Sequence, residues 1–357
     1  MVMPKKKQSE TKQTFTPIGT SAASDDYWDS WTLQTRIPPL DHVLSGGVGC
    51  RRMAEIYGQP GSGKSAVGYH LLASVEQVGG TGILIDSEGA FNRAFYESLG
   101  GNPDKLQIAN EAETDTVEFV FEFIKKNAEA YGELGLDVPP LFILWDSIAA
   151  TTTMHLQDAK PGTRDLSKST AMSAGLQRIL PSIRSSNVCL LSVNQTYQVI
   201  GSYVPTHTTP GGDRYKFIAS QRIFMKYNNS DIIYDEDKTH IGHKVTTIIE
   251  KSRMGNPHQR ANLWFYTVEG AKHPVYDRTT KFGFDVDQSL FDYYQTGAFF
   301  IGEDKGRVVQ SNGGWYSLHK SIDTEQKKFR AKDWPEQLDK FPQLKDLIYH
   351  DLEIPTV

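Results

Sequence analysis

Eight consecutive residues of this chain have the types and the spacing of a phosphate-binding loop. The segment GQPGSGKS (58–65) matches the pattern G-x-x-x-x-G-K-[S/T] at every fixed position. It lies between MAEIYG (53–58), an apolar run of strand length, and SAVGYHLLASVEQVGG (65–80), whose apolar residues recur at helical spacing. Glycines allow the backbone to fold around a phosphate, and amide N–H groups at the start of a helix point toward it.

The same motif assigns chemistry to individual side chains. Lys64 is expected against the β- and γ-phosphates of a nucleotide, and the Ser65 hydroxyl in the shell of a magnesium ion. The segment therefore predicts binding of a nucleoside triphosphate with Mg²⁺. Its predicted nucleotide-binding residues are Gly58, Gln59, Pro60, Gly61, Ser62, Gly63, Lys64, Ser65 and Ala66.

A second metal-site element is the segment LFILWDSIAA, in which an apolar run ends at Asp146. A buried parallel strand would deliver this carboxylate to its C-terminal edge, where such sheets bind ligands. There Asp146 would orient magnesium, together with Ser65 as the metal residues. The alternative is that Asp146 only caps the helix that follows.

The elements that must position these residues alternate along the chain. MAEIYG (53–58), TGILIDSE (81–88), LFILWDS (141–147) and VCLLSVNQ (188–195) have strand length, and helical patterns lie between them. Such alternation predicts an α/β fold, a mostly parallel twisted sheet with helices on both faces. HKVTTIIEKSR and ANLWFYTVEG, joined by MGNPHQR, predict an antiparallel pair of strands.

Composition restricts the class of protein. The 357 residues carry a net charge of -5, and the mean hydropathy is -0.45. No apolar run approaches the roughly 20 residues that span a bilayer, and the N-terminus lacks the apolar segment of a secretory signal. Cys50 and Cys189 are too few for a disulfide framework or a zinc site. We expect a cytoplasmic protein without a membrane partner, in which any DNA contact comes from local basic patches.

Changes in amino-acid composition along the chain predict three parts. Residues 1–32 are rich in Lys, Ser, Thr and Gln and are expected to form a flexible arm, in which Phe15 is either an anchor on a neighbour or a solvated residue. Residues 33–270 form the nucleotide-binding core. Residues 271–357 mix strand and helix fragments with many aromatics and predict a small α+β C-terminal domain.

Beyond the phosphate-binding loop, GILIDSEGAFNRAFYESLG resembles the segment that follows the first helix in RecA recombinases. The resemblance implies that Glu88 activates water and that Phe95 stacks on adenine, so the nucleotide is ATP. A carboxylate at a strand end can orient the attacking water or accept its proton. The alternative for Phe95 is a core aromatic.

The segment LLSVNQTYQVIGSYVPTHTTPGGDRYKFIASQRIFM also resembles RecA and implies a nucleotide sensor followed by a DNA-binding loop. Gln195 occupies the position that senses the γ-phosphate. The loop is expected over about 196–210, and such a long connection is usually functional or disordered. Its predicted DNA contacts, by stacking, hydrogen bonding or close backbone approach, are Thr196, Tyr197, Gln198, Tyr203, Gly211 and Gly212.

The other candidate DNA loop spans about 153–169, after the strand that ends at Asp146. It contains three cations that can neutralise backbone phosphates, Lys160, Arg164 and Lys168. Acidic residues are interleaved with them, and an ordinary surface loop is the alternative.

In IIEKSRMGNP, Lys251 and Arg253 match two basic residues that in RecA proteins reach the ATP of the adjacent subunit. Alternating residues of a strand project to the same face, so both can converge on one triphosphate. The alternative is a pair of surface ion pairs. EKSR, NGGWYSL (312–318) and FRAKDW (329–334) resemble the phage recombinases of the UvsX kind, which implies a bacterial, phage-infected host cell.

The resemblance covers roughly residues 33–335 and implies an ATP-dependent recombinase that forms a filament on single-stranded DNA. Its implied partners are single-stranded DNA, homologous duplex DNA, further copies of itself, and single-strand-binding and loader proteins. Glu88, Lys64 and Gln195 are the implied catalytic residues. Three alternatives stay open: a ring helicase, a RecA-like accessory ATP switch, and a nucleotide-dependent structural filament with no DNA partner.

Overall fold

Ten strands form one twisted sheet at the centre of the protein. The structure, a computed structural model, describes residues 31–160, 167–198, 207–297, 299–301 and 304–352. In chain order the strands of this sheet are β1 (Arg52–Gly58), β2 (Thr81–Asp86), β3 (Gln107–Ile108), β4 (Leu141–Asp146), β5 (Val188–Gln195), β6 (Gln221–Lys226), β7 (Ile232–Tyr234), β8 (His240–Ser252), β9 (Arg260–Tyr266) and β10 (Gly283–Asp285).

The spatial order is β10-β9-β8-β6-β1-β5-β4-β2-β3, with β7 paired to β8. From β6 to β3 all neighbours are parallel, and from β6 outward through β8, β9 and β10 they are antiparallel. The predicted antiparallel pair is present as β8 and β9, with Thr247 opposite Ala261.

Both faces of the parallel strands are buried, because alternate residues enter different hydrophobic clusters. Phe142 and Leu144 pack in the cluster that contains the helix after the phosphate-binding loop, whereas Ile143 and Trp145 pack in the opposite one. A strand covered on both sides needs an unbroken apolar run, which explains the composition of LFILW (141–145). The predicted α/β architecture is confirmed.

Helices cover the two faces of the sheet and continue to the C-terminus. They are α1 (Pro38–Val43), α2 (Lys64–Gln77), α3 (Arg93–Ser98), α4 (Val117–Gly132), α5 (Met154–Gln157), α6 (Lys168–Arg184), α7 (Asp213–Ile218), α8 (Val286–Thr296), α9 (Trp334–Lys340) and α10 (Gln343–Asp351). Helices α1 and α2 pack on one face, and α4 and α6 on the other. Thr116 caps α4 by accepting a hydrogen bond from the amide of Phe119 at 3.3 Å.

The C-terminal residues bury a cluster of their own. Phe291, Tyr294, Phe329 and Trp334 are its large aromatic members, and Trp334 donates its indole N–H to the carbonyl of Asp287 at 2.9 Å. The edge strand β10 joins the main sheet although it lies beyond residue 270. The contacts group Trp31–Val357 as one unit, so the boundary at 270/271 stays a prediction.

No described helix is both long and apolar enough to cross a bilayer. The two cysteines are free thiols, and both are buried. Cys50 and Cys189, distant in sequence, hydrogen-bond through their side chains, and burial raises the pKa of Cys189 above its usual value.

Two buried titratable groups hold the segment before α1. Asp41 accepts hydrogen bonds from the amides of Thr35 at 2.7 Å and Arg36 at 3.0 Å, and burial raises its pKa to about 7. On the other side, His70 of α2 hydrogen-bonds the backbone of Thr35, and burial lowers its pKa to about 4. Nε2 of His70 is buried and has no hydrogen-bond partner in the described part of the chain.

His70 lowers the free energy of unfolding as the pH falls below 6.5. Above pH 6.5 the imidazole is neutral whether the chain is folded or not; below it, the unfolded chain binds a proton that the folded protein excludes until about pH 4. We expect His70→Leu to reduce the loss of unfolding free energy between pH 7.5 and pH 5 by about 2 kcal/mol, at about 1.4 kcal/mol for each pH unit. Urea unfolding at the two pH values measures this difference.

The control is His155→Leu, since His155 is exposed. Asp41 titrates in the opposite direction but is present in both variants. An equal pH dependence in wild type and His70→Leu would contradict the assignment.

Candidate nucleotide-binding site

The predicted phosphate-binding loop connects β1 to α2 at the C-terminal edge of the sheet. Two of its glycines are required by the backbone. Gly58 has φ 152°, and a Cβ there would lie 1.9 Å from the carbonyl oxygen of Met225. Gly63 has φ 83°, and a Cβ would lie 2.7 Å from the ring of Phe284. A side chain at either position would displace the loop from this conformation.

Lys64 is held with its ammonium group folded back along the loop. Its Nζ donates to the carbonyl oxygens of Gln59 at 2.7 Å and Gly58 at 3.2 Å. Burial lowers the pKa of Lys64 to about 8, although Asp146 and Glu88 raise it. The structure therefore brings the predicted lysine and both predicted carboxylates within electrostatic range of one another.

Asp146 ends β4 beside the loop, where Ser65 hydrogen-bonds its carboxylate. Burial raises the pKa of Asp146 to about 6, and the neighbouring carboxylates of Glu88 and Asp86 raise it further. Oδ1 of Asp146 is buried without a hydrogen-bond partner among the described residues. An orphaned carboxylate oxygen beside a serine hydroxyl fits Mg²⁺, which is bound through few protein oxygens and takes its other ligands from phosphate and water.

The described residues contain no group of three or more His, Cys, Asp and Glu side chains that could hold a metal by themselves. A magnesium ion at Asp146 and Ser65 would therefore depend on oxygens from the nucleotide. Asp146 and Ser65 fit a metal ion that binds together with the nucleotide, and not a structural ion that the protein holds by itself.

Glu88 is fixed by a residue that the sequence analysis did not single out. The hydroxyl of Ser147 donates to Oε1 of Glu88 at 2.6 Å. Ser147 follows Asp146 directly, so the metal strand and the predicted water-activating carboxylate are tied by one hydrogen bond. The side chain of Glu88 is otherwise exposed, as a group that must meet water requires.

A cleft of about 330 Å³ continues from the loop between α2 and β9. Phe95 is only 7% exposed, so it packs as a core residue and also lines this cleft. The rings of Phe95 and Phe282 lie 4.9 Å apart, edge to face. The cleft is also lined by residues that no sequence pattern indicated, Tyr69, Ala90, Asn92, Phe265 and Thr267. An aromatic cleft beside a phosphate loop suits a purine base.

The outer half of the loop is held by the antiparallel strands. His243 of β8 donates from Nε2 to the carbonyl oxygen of Gly61 at 2.9 Å, and its ring stacks on Tyr227 at 3.9 Å between centroids. The amide of Tyr227 donates to the side chain of Gln59 at 2.9 Å. No local pattern in the sequence pointed to these contacts, because they depend on the pairing of β8 with β6.

Strand register places Gln195 beside the phosphate loop. In the parallel pair of β1 and β5, Gln195 lies directly opposite Gly58. The preceding residue, Asn194, donates from Nδ2 to the buried Glu55 of β1 at 2.9 Å and to the carbonyl oxygen of Pro210 at 3.0 Å. The Asn194 side chain thus links β5, which carries Gln195, to β1, which leads into the phosphate loop. It also links β5 to Pro210 at the end of the predicted DNA loop.

Glu55 is fully buried and forms an ion pair with Arg222 of β6, whose Nε lies 2.7 Å from Oε2. The guanidinium group also stacks over Tyr57 at 4.3 Å. Although burial lowers the pKa of Arg222, Glu55 and its neighbours outweigh that effect and raise it. The pair and Asn194 connect the three adjacent strands β6, β1 and β5.

The structure describes part of each predicted DNA loop. Residues 197–198 pair antiparallel with residues 207–208, so the second loop has a two-stranded base where an unstructured connection was predicted. Tyr197 is 51% exposed there. Tyr203 lies outside the described residues, and Thr196 carries no described side-chain contact.

Gly211 and Gly212 pack against the start of α6. A Cβ on Gly212 would lie 2.2 Å from Oγ of Ser169, and one on Gly211 would lie 3.3 Å from Met172. In the first loop, Lys160 is exposed and Arg164 lies outside the described residues. Lys168 is the first residue of α6 and donates to the carbonyl oxygen of Ala149 at 3.1 Å, so the loop ends earlier than predicted.

Comparison with known proteins decides the family. The profile of the RecA N-terminal domain matches residues 32–272, more than half of the chain. The chain belongs to the RecA family. The Protein RecA of Borreliella burgdorferi (strain ZS7) is 25% identical over 310 residues, which cover 86% of this chain and 82% of that protein.

Two further relatives carry the same name. The Protein RecA of Porphyromonas gingivalis (strain ATCC 33277) is 31% identical over 235 residues, 65% of each chain. That of Mycoplasma genitalium is 26% identical over 279 residues, 77% of this chain and 78% of the relative. The predicted family is confirmed, and with it a RecA-like recombinase function in DNA recombination and repair.

In this RecA-family protein the two predicted trans-acting cations lie away from the phosphate loop. Lys251 donates to the carbonyl oxygens of Lys216 and Phe217 at 2.7 Å, and Arg253 donates to that of Phe217 at 2.9 Å. The two side chains share one face, as predicted. The amide of Arg253 bonds to Ser220, whose own amide bonds to Met53 near the start of β1. Met53 is five residues before Gly58, roughly 16 Å along an extended strand.

The buried pair of the RecA-family core gives a stability prediction. Arg222→Leu leaves the Glu55 carboxylate buried without its cation, so we expect the free energy of unfolding to fall by about 3–5 kcal/mol. Glu55→Leu combined with Arg222→Leu should be less destabilising than the sum of the single changes, by at least about 1 kcal/mol. Urea unfolding of all four proteins measures both quantities.

Arg93→Leu is the matched control, because the ion pair of Arg93 with Glu97 is exposed, at 68% and 45%. It should cost less than about 1 kcal/mol. Additive effects of the two core substitutions would show that the pair is not energetically coupled.

Proposed function

We propose that this RecA-type recombinase hydrolyses ATP when it is assembled on single-stranded DNA, and that it pairs the bound strand with homologous duplex. One observation carries the proposal. Gln195 lies beside Gly58 of the phosphate loop, and the paired base of the candidate DNA loop begins two residues later at Tyr197. Only the end of β5 therefore lies between the nucleotide site and the candidate DNA loop.

The residues of the chain divide the chemistry between them. Lys64 and the amides of the loop bind the phosphates, while Ser65 and Asp146 hold the magnesium ion that accompanies them. Bound ATP supplies the γ-phosphoryl group. Glu88, oriented by Ser147, positions the attacking water and accepts its proton. Phe95 and the aromatic cleft hold the adenine.

The predicted sensor acts through the network already described. Gln195 contacts the γ-phosphate, and Asn194 transmits its position to Pro210 at the far end of the DNA loop. Two discrete arrangements of the loop then follow the two states of the nucleotide. Tyr197, which is half exposed, is available to stack on a base of the single strand.

The placement of Lys251 and Arg253 supports self-association. They lie toward the edge of the sheet opposite the phosphate loop of their own chain, so they can complete only the site of another copy. A contact between two different surfaces of the same chain is heterologous, and it generates a helical filament when the rotation does not close. This agrees with a filament in which ATP lies between neighbours.

Within the family, we infer from EKSR, NGGWYSL and FRAKDW that the protein is of the phage UvsX kind and acts in an infected bacterial cell. The comparisons do not bear on this point, and it stays a prediction. The same is true of single-strand-binding and loader proteins as partners.

The proposal predicts DNA-dependent hydrolysis. We expect single-stranded DNA to raise the ATPase rate of the purified protein at least about tenfold, because Gln195 and the loops order together. Glu88→Gln should lower the stimulated rate by about 10²-fold, the usual contribution of a general base, while ATP binding is retained. Phosphate release with and without DNA, and the fluorescence of a labelled ATP analogue, measure the two effects.

Glu97→Gln is the matched control, since Glu97 is an exposed carboxylate of α3 whose side chain binds Arg93. It should leave both measurements unchanged. Hydrolysis indifferent to single-stranded DNA would sink the recombinase mechanism and favour an accessory switch or a structural filament.

A further inference from the structure

Residues 282–284 form one wall of the cleft that continues from the phosphate loop. Phe282 lines the cleft, where its ring packs edge to face on Phe95 at 4.9 Å between centroids. Phe284 lies against the loop itself, since a Cβ on Gly63 would come within 2.7 Å of its ring. The position of this short segment therefore sets the shape of the cleft on this side.

Strand β10 is too short to fix this wall by backbone pairing alone. It has three residues, pairs with β9 and lies at the edge of the main sheet. Phe265 of β9 lines the nucleotide cleft, and the next residue, Tyr266, lines a second cavity of about 200 Å³ on the opposite face. A short edge strand with open space on one face opens locally at low cost unless side chains hold it.

A buried carboxylate holds the end of β10. Asp285 is the last residue of the strand and caps α8 by accepting a hydrogen bond from the amide of Gln288 at 3.0 Å. Nε2 of His273 lies 2.8 Å from its Oδ2, and Nη2 of Arg278 donates to both carboxylate oxygens at 2.9 Å. Although burial raises the pKa of Asp285, the hydrogen bond with His273 and the charge of Arg278 outweigh that effect and lower it.

The tautomer of His273 is fixed by its surroundings. Its Nδ1 accepts hydrogen bonds from the amides of Val275 and Tyr276, both at 3.0 Å. In the neutral ring the proton is therefore on Nε2, which donates to Asp285 and lies 3.0 Å from the hydroxyl of Tyr266. The residue is only 3% exposed, and its ring stacks on Tyr276 at 4.6 Å between centroids. His273 thus joins the turn that follows it to the last residue of β10.

The chain between β9 and β10 forms a hairpin that is closed by its own backbone. The amide of Gly270 donates to the carbonyl oxygen of Thr280 at 2.9 Å, and the amide of Thr280 donates to that of Ala271 at 2.7 Å. Thr267 lines the nucleotide cleft where the hairpin leaves the sheet, and Phe282 lines it where the hairpin returns. Anchoring the hairpin to the end of β10 therefore fixes both of these residues in the cleft.

We infer that His273 and Arg278 are positioning residues for the nucleotide, which bind Asp285 and so hold Phe282 in the wall that receives the base. These three polar side chains are called the β10 lock. The inference rests on the proposed function and deepens it, since it names the groups that shape the subsite for the base. The phosphate loop has a separate support, the contact with His243 of β8. The lock should therefore act on the base and not on the phosphates.

Nucleotide binding without DNA tests the lock. His273→Ala removes the hydrogen bond to Asp285, so we expect the dissociation constant of a fluorescent ATP analogue to rise by at least about tenfold. Sodium tripolyphosphate has the phosphates but no base, and it should bind within about twofold of wild type. In steady-state hydrolysis the KM for ATP should rise by at least about tenfold, while kcat at saturating ATP stays within about twofold.

Two conservative variants separate the link to β10 from the folding of the turn. In His273→Gln the amide nitrogen takes the place of Nε2 and can donate to Asp285, so affinity for the analogue should return to within about threefold of wild type. In His273→Asn the amide oxygen takes the place of Nδ1 and supports the turn, but the side chain is too short to reach Asp285. It should bind the analogue as weakly as His273→Ala. Rescue by Asn and not by Gln would overturn the inference.

A double substitution shows whether the lock acts through the wall. Phe282→Ala removes the wall directly and should weaken binding of the analogue by at least about tenfold. Adding His273→Ala should weaken it by no more than about twofold further, because both changes act through the same ring. Effects that multiply, or an equal loss of tripolyphosphate binding, would show that His273 acts elsewhere.

His350→Ala is the matched control, since His350 is an exposed histidine of α10. It should bind both the analogue and tripolyphosphate as wild type does. The binding measurements need neither DNA nor hydrolysis. If they come out as expected and single-stranded DNA does not stimulate hydrolysis, the recombinase mechanism fails and the β10 lock stands.

Discussion

The buried ion pair of Glu55 with Arg222 is the constraint on which the arrangement of the site depends. Glu55 lies on the strand that enters the phosphate loop, Arg222 on the next strand, and Asn194 joins the pair from the other side. A fully buried carboxylate is stable only when its partners are held in place, so the three strands are fixed in one register. That register sets Gln195 beside Gly58.

The two edges of the sheet carry different groups of predicted site residues. The C-terminal edge carries the phosphate loop, Asp146 and Glu88. Burial there lowers the pKa of Lys64 and raises that of Asp146. The opposite edge carries Arg52, with Arg253 and Arg184 close enough to lower its pKa. A sheet about 20 Å deep keeps these charges apart within one chain.

Much of this organisation was accessible from local sequence. The four parallel strands, the phosphate loop and the β8–β9 pair follow from short apolar runs and glycine spacing, and the structure contains all of them. Ser147 was also accessible, since it follows Asp146 in the chain, but nothing in the sequence indicated that its hydroxyl meets Glu88. The paired base of the second candidate DNA loop was not predicted, because two paired residues on each side leave no periodic signal.

The sequence by itself predicted which side chains would take part in nucleotide chemistry, Lys64, Ser65, Asp146 and Glu88, because each lies within a few residues of the backbone feature that positions it. Only the tertiary structure decided the environments that depend on distant segments. Phe282 packs against Phe95, and His243 hydrogen-bonds Gly61. Strand pairing and burial create these contacts. They join residues far apart in the chain, so short-range sequence patterns do not predict them.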